Sequence, residues 1–105
     1  MLDMSQSLQE WSEDNQARRR VLEFLTLDIQ NSPQWIEDLL DKITALETQT
    51  LPAWQRTGNA FHLSLSPEQA AIEDLGDEDS ETQSLPLNEF KQAVILWQQQ
   101  TQSDP

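Results

Sequence analysis

The chain has 105 residues, 19 of them acidic and 6 basic, which gives a formal net charge of −13. This length suits one domain with a modest core, and the absence of cysteine excludes disulfides and thiolate zinc sites. So negative a surface disfavours nucleic acids and anionic membranes, and it either attracts basic partners or simply maintains solubility.

The N-terminal segment, residues 1–17, is polar and predicts a short helix. Leu8 and Trp11 lie three positions apart, so a helix would place both on one surface. No apolar run reaches the ~20 residues that a membrane span needs, and the stretch from Met1 to Asp14 lacks a signal-peptide core. We therefore expect a cytoplasmic protein that has no membrane partner.

Three consecutive arginines, Arg18 to Arg20, carry half of the positive charge. Arginine binds carboxylates and phosphates, but a nucleic-acid patch needs more basic residues than this chain has. We expect the arginines to pair inside the protein, with the later acidic loop or with Glu10, Glu13 or Asp14.

The next segment, residues 21–29, fits two periodicities. Alternation along a strand places four apolar residues on one side: Val21, Leu25, Leu27 and Ile29. Helical spacing also works, because Leu22, Leu25 and Ile29 lie at positions i, i+3 and i+7. The β-branched and aromatic content favours the strand.

An amphipathic helix follows, because Ser32 can cap its first turn and Pro33 suits its first position. Its predicted core-facing stripe consists of Trp35, Ile36, Leu39, Leu40, Ile43 and Leu46. The helix should end before Pro52.

A β-hairpin is predicted next. Phe61, Leu63 and Leu65 alternate with polar residues, which indicates a strand with one buried face. A proline turn over residues 66–69 leads to a return strand from Ala70 to Leu75. Upstream, Gly58-Asn59 can adopt positive φ and turn the chain after residues 54–56.

Residues 76–83 form a predicted acidic loop that is too polar to pack. Its alternating acids resemble the first ligands of a calcium loop, but the sixth position is Thr82 and the twelfth is Asn88 instead of glycine and glutamate. We therefore expect no metal site. Asn88 should cap a last helix with a buried face made of Phe90, Ala93, Val94 and Trp97, and residues 102–105 should form a frayed tail.

The sequence carries no enzyme signature. The single histidine, His62, lies on the polar side of a predicted strand without a clustered partner, and two glycines are too few for a phosphate loop. We therefore expect neither catalysis nor a cofactor. Trp54 and Arg56 are residue types enriched at binding hot spots, although Trp54 can equally cover an edge of the core while Arg56 pairs with an acid.

The run from Trp54 to Leu63 (WQRTGNAFHL) resembles the YacL-like family of small bacterial proteins. In that family a Trp-Gln-Arg-x-Gly-x-x-aromatic-x-Leu run precedes a β-hairpin and an acidic stretch, and later residues also fit: Ser84-Leu85, Phe90 and Trp97. The likeness covers residues 54–100. The family opens with two strands before its first helix, where this chain offers one candidate. The resemblance implies an α+β fold and no activity, because the family has no established one.

These features predict one α+β domain over residues 18–101, in which a small antiparallel sheet of about three strands packs against two main helices, preceded by a short N-terminal helix. The expected function is that of a non-catalytic acidic interaction protein, an adaptor or assembly chaperone that binds an extended peptide or a basic surface of another protein. The alternative is a nucleic-acid-mimicking inhibitor or a toxin-neutralising, immunity-type protein. The candidate partner-binding residues are Trp54, Arg56, Asp77, Glu78, Asp79 and Glu81.

Overall fold

Helices precede and follow one four-stranded sheet in the computed structural model, which describes residues 8–13, 15–77 and 79–101. The elements are α1 (Leu8–Ser12), α2 (Gln16–Phe24), a π-helical continuation of α2 (Leu25–Ile29, the π segment), α3 (Pro33–Glu47), β1 (Trp54–Thr57), β2 (Phe61–Leu65), β3 (Gln69–Asp74), β4 (Gln83–Pro86) and α4 (Leu87–Thr101). The predicted tail, residues 102–105, lies outside the described residues.

The sheet is antiparallel throughout, in the order β1-β2-β3-β4, so the predicted α+β class is confirmed. Its buried face consists of Phe61, Leu63, Leu65, Ala70, Ile72 and Leu85. The structure has four strands where about three were expected, because β1 and β4 flank the predicted hairpin of β2 and β3, whereas the strand predicted over residues 21–29 is helical. Strand β4 was missed because it pairs with β3 over only a few residues and buries a single leucine. So short a strand carries little periodicity.

The strand predicted over residues 21–29 is wrong, because this segment is helical. The Asn15 side chain accepts a hydrogen bond from the Arg18 N–H at 3.0 Å, which caps a helix that runs through the segment. Its buried residues follow helical spacing: Val21, Phe24, Leu25 and Ile29. Leu27, which the alternating pattern placed with them, is 51% exposed. The protein therefore has a third long helical element.

Helix α3 begins as predicted, with Pro33 in its first turn and the Ser32 hydroxyl accepting a hydrogen bond from the Trp35 N–H at 3.3 Å. Its core residues are Ile36, Leu39, Ile43 and Leu46. Trp35 was expected among them, yet it is 46% exposed. The reason is a contact with the edge strand β1, described below.

Phe24 lies at the centre of the core, where it joins the sheet to α4. Its ring meets that of Phe61 edge-on, with centroids 6.4 Å apart, and that of Phe90 at 6.2 Å. Helix α4 starts at Leu87, directly after β4. Asn88 therefore lies inside the first turn, and the prediction that it caps the helix is wrong. The predicted buried face is otherwise present, with Trp97 partly buried at its margin.

Helix α1 packs onto the body, and both of its large apolar residues, Leu8 and Trp11, are buried. The Arg18 guanidinium lies 4.8 Å from the Trp11 ring centroid, donates to the Trp11 carbonyl at 3.0 Å, and pairs with Glu89 at 3.0 Å. Arginine is therefore used inside the protein, as expected, with a carboxylate on α4 as one partner. Within the described residues, no helix combines the length and hydrophobicity needed to cross a bilayer.

Arg20 is also used internally, because it holds the acidic loop against α2. Its Nη2 donates to the Ser80 hydroxyl at 2.6 Å and its Nη1 to the Ile72 carbonyl at 3.1 Å. The loop acceptors include a hydroxyl and the Glu81 carbonyl, at 3.4 Å from Nη1. The Asp79 and Glu81 side chains are exposed, and the exposed Asp77 carboxylate accepts a hydrogen bond from the Asp79 N–H at 3.1 Å.

Candidate functional site

A groove of about 690 Å³ opens at one end of the sheet. One wall is the connection from the π segment to α3, residues 28–32, together with Trp35. The other wall is the end of β1 and its turn, residues 56–59. We call this cavity the groove. Its volume lies within the range of roughly 300–1,000 Å³ that is typical of ligand sites in proteins.

The Asp28 carboxylate fixes the two walls relative to each other. Its side chain is 0% exposed. Oδ1 accepts a hydrogen bond from the Ala60 N–H at 2.9 Å, and Oδ2 accepts one from the Phe61 N–H at 3.0 Å. A buried carboxylate needs such donors, and these tie the π segment to the β1–β2 turn.

Arg56 lies beside this carboxylate and faces Trp35. Its Nη1 is 4.0 Å from Asp28 Oδ2, and its guanidinium carbon lies 4.5 Å from the centroid of the Trp35 ring. The Nε and Nη1 atoms are buried, and neither has a hydrogen-bond partner among the described residues. Each buried donor left without an acceptor costs about 1–3 kcal/mol. The groove therefore contains donors that lack acceptors.

Gly58 is required by close approach rather than by backbone conformation. A Cβ atom at this position would lie 2.7 Å from Arg56 Nη1 and 2.7 Å from Asp28 Cγ, and it would collide with Asp28 Oδ2. The expected positive φ in this turn is wrong, because no glycine in the described residues has one. The absent side chain leaves room for the carboxylate and the guanidinium to meet.

Gln30 holds the opposite wall in a strained conformation, with φ 58° and ψ −141°. This region of backbone space is almost restricted to glycine and costs about 1–3 kcal/mol for other residues. The Gln30 N–H donates to the Leu25 carbonyl at 2.7 Å, and its own carbonyl accepts from Trp97 Nε1 at 2.7 Å. Strain of this kind and π-helical turns both occur often at functional sites.

The exposed apolar side chains surround the same end of the molecule. Leu27, Trp35 and Leu75 are the large apolar residues most exposed in the described part of the chain, at 51%, 46% and 42%. Leu27 directly precedes Asp28 in the sequence. The Leu75 N–H donates a hydrogen bond at 2.9 Å to the carbonyl of Ala60, the residue whose own N–H donates to Asp28. We call these three residues the apolar rim.

The structure places the six predicted partner-binding residues in different settings. Arg56 lines the groove, whereas Trp54 packs against the core with Lys42 Nζ 5.9 Å above its ring and does not line the groove. The loop between β3 and β4 begins at Leu75, a residue of the rim, and it exposes Asp77, Asp79 and Glu81. Glu78 lies outside the described residues.

Within residues 8–13, 15–77 and 79–101, no group of three or more His, Cys, Asp or Glu side chains could hold a metal ion. His62 lies on the face of the sheet opposite the core, as expected. Its Nδ1 is 2.7 Å from the Thr57 hydroxyl, and its cross-strand partner is the exposed Glu73 on β3.

Asp28 and Trp35 are the site residues that the sequence did not indicate. Asp28 occupied the polar side of a wrongly predicted strand, and Trp35 belonged by spacing to the core stripe of α3. A signal for Asp28 existed in principle, because the turn after β1 needs an acceptor for its free N–H groups. Comparison of the chain with protein families, with curated proteins and with solved structures gave no match. The resemblance to the YacL-like family therefore stays a prediction.

Proposed function

We propose that this chain is a non-catalytic, acidic interaction protein of the cytoplasm, which binds a basic and apolar segment of another protein at the groove and its apolar rim. One observation carries the proposal: a groove lined by the exposed Trp35 opens at the end of the sheet where the acidic loop begins, and the exposed Leu27 and Leu75 lie next in sequence to residues at that end.

The apolar rim supplies the contact area. Small soluble domains seldom group large exposed apolar residues without a binding role. Trp35 and Arg56 are also the residue types that contribute most to binding at protein interfaces, and they are stacked on each other here. A partner that covers the indole would bury apolar surface at the mouth of the groove.

The acidic loop supplies the charge complementarity. Asp77, Asp79 and Glu81 are exposed, and the chain as a whole carries a net charge of −13. Such a field speeds the association of a basic segment and rejects an acidic one, and both effects weaken as the salt concentration rises. The partner that fits this surface therefore combines apolar anchors with lysine or arginine.

Two synthetic peptides test the proposal. Both have equal length and alternating leucine, one with lysine and one with glutamate at the other positions, and both are acetylated and amidated so that their ends are neutral. Isothermal titration should show binding of the lysine peptide, weakening between low and high salt, and no binding of the glutamate peptide. Equal affinity for the two peptides would contradict the proposal.

Substitutions locate the binding surface. Trp35→Ser should weaken binding of the lysine peptide at least about tenfold, because it removes the central aromatic contact. The matched control is Gln92→Ser, an exposed position on α4, which should leave the affinity unchanged. Binding that is unaffected by Trp35→Ser would place the interaction elsewhere.

A further inference from the structure

We infer that the groove receives a carboxylate of the partner segment, held by the guanidinium of Arg56. This inference rests on the proposed function and adds the chemical group that is recognised. It starts from the state of Arg56, whose side chain is only 13% exposed and whose Nε and Nη1 lack acceptors among the described residues.

The neighbouring carboxylate does not satisfy this guanidinium. Both oxygens of Asp28 are engaged by backbone N–H groups, at 2.9 and 3.0 Å, and its nearer oxygen is 4.0 Å from Nη1, which is beyond hydrogen-bond distance. Asp28 thus supplies charge to Arg56 without supplying a hydrogen bond. An acceptor that enters the groove completes the arrangement.

Trp35 controls access to Arg56. The indole stacks on the guanidinium at 4.5 Å, and nearly half of the Trp35 side chain is exposed to solvent. Because it lies outside the core, the indole can shift without opening the hydrophobic interior. That shift uncovers the buried nitrogens, and the part of the tryptophan fluorescence that is lost in Trp35→Phe reports on the event.

Charge selects a carboxylate over a phosphate. Among the residues that line the groove, Asp28 and Arg56 carry opposite charges, while the rest of the lining is neutral. A doubly charged phosphate in this setting faces the repulsion of a chain with net charge −13, whereas a carboxylate brings a single negative charge. The planar guanidinium also matches the planar carboxylate in shape.

Three forms of the lysine–leucine peptide test the inference: one with a free C-terminal carboxylate, one with a C-terminal amide, and one with an amide after a final glutamate. The free-carboxylate form should bind at least about tenfold more tightly than the amide form, because a charge-assisted hydrogen bond is added. This ratio should fall to about one in Arg56→Gln. Arg19→Gln, which removes the same charge from an exposed position on α2, should preserve the ratio.

The outcomes separate this inference from the proposed function. If the glutamate form binds like the plain amide, the recognised group is the C-terminal carboxylate; if it binds like the free form, side-chain carboxylates are also recognised. If the amide form binds equally well, the inference is overturned while the proposed function stands.

If no form binds, the proposed function fails, and acetate titration then decides the inference. Quenching of tryptophan fluorescence by acetate that disappears in both Arg56→Gln and Trp35→Phe supports it, and absence of that quenching overturns it. Tighter binding of inorganic phosphate than of acetate would also overturn it.

Discussion

Replacing Asp28 by alanine tests which contacts hold the groove together. The carboxylate accepts two backbone hydrogen bonds, from Ala60 at 2.9 Å and Phe61 at 3.0 Å, in a site where its side chain is 0% exposed. Hydrogen bonds to a charged group contribute about 1.5–3 kcal/mol each, and their loss leaves two buried donors unpaired. We expect Asp28→Ala to lower the free energy of unfolding by about 3–5 kcal/mol, a large part of the roughly 5–15 kcal/mol of a domain this size.

Replacing Arg56 by methionine should cost far less. Arg56 Nε and Nη1 make no hydrogen bond with the described residues, and the ion pair with Asp28 is long, at 4.0 Å. Methionine keeps much of the packing and removes two unpaired donors, so we expect a loss below about 1 kcal/mol. The double variant should be destabilised by less than the sum of the two single changes, because the second substitution removes a buried charge that the first leaves without its counter-charge.

Urea unfolding followed by tryptophan fluorescence and by circular dichroism measures these differences. Asp41→Ala is the control, because Asp41 is exposed on α3, and it should change stability by less than about 0.5 kcal/mol. The reasoning is refuted if Asp28→Ala is as mild as this control. It is also refuted if Arg56→Met is as harmful as Asp28→Ala, since Asp28 would then act chiefly as a counter-ion.

Two further predictions concern the backbone of the groove walls. Gln30→Gly should raise the free energy of unfolding by about 1 kcal/mol, because it relieves the strain at φ 58°, whereas Gln34→Gly inside α3 should lower it by a similar amount. If thermal unfolding shows that both variants are less stable than the original protein, residue 30 is not strained. Gly58→Ala should lower the free energy of unfolding by about 1–3 kcal/mol, because the new Cβ would come within 2.7 Å of Arg56 Nη1. Gly76→Ala should change it little, because the nearest atom to a Cβ there is 3.5 Å away, and equal stability of the two variants would contradict the close approach at Gly58.

Elements with strong local signals could be predicted from the sequence. Helix α3 carries its own cap at Ser32 and a long apolar repeat, and the hairpin of β2 and β3 combines alternation with a proline turn. The segment over residues 21–29 failed because its apolar residues fit both periodicities. The helix is selected by residues outside the segment, namely the cap at Asn15 and the rings of Phe61 and Phe90, which pack against Phe24.

The site was predictable only in part. Arg56 could be named from its residue type and its place on a strand. Its neighbours could not, because Asp28 reaches the Phe61 N–H across 33 positions of sequence, and no local pattern encodes such a contact. Trp35 has the spacing of a core residue, but at the start of α3 it meets the edge strand β1 instead of the interior.

Mapping of amide chemical shifts during titration with the capped lysine–leucine peptide tests the central claim most directly. The proposed surface predicts the largest changes at Leu27, at the indole N–H of Trp35 and at Leu75, with smaller ones in the acidic loop. Changes centred on the opposite face of the sheet, around Ser64 and Ser84, would contradict it.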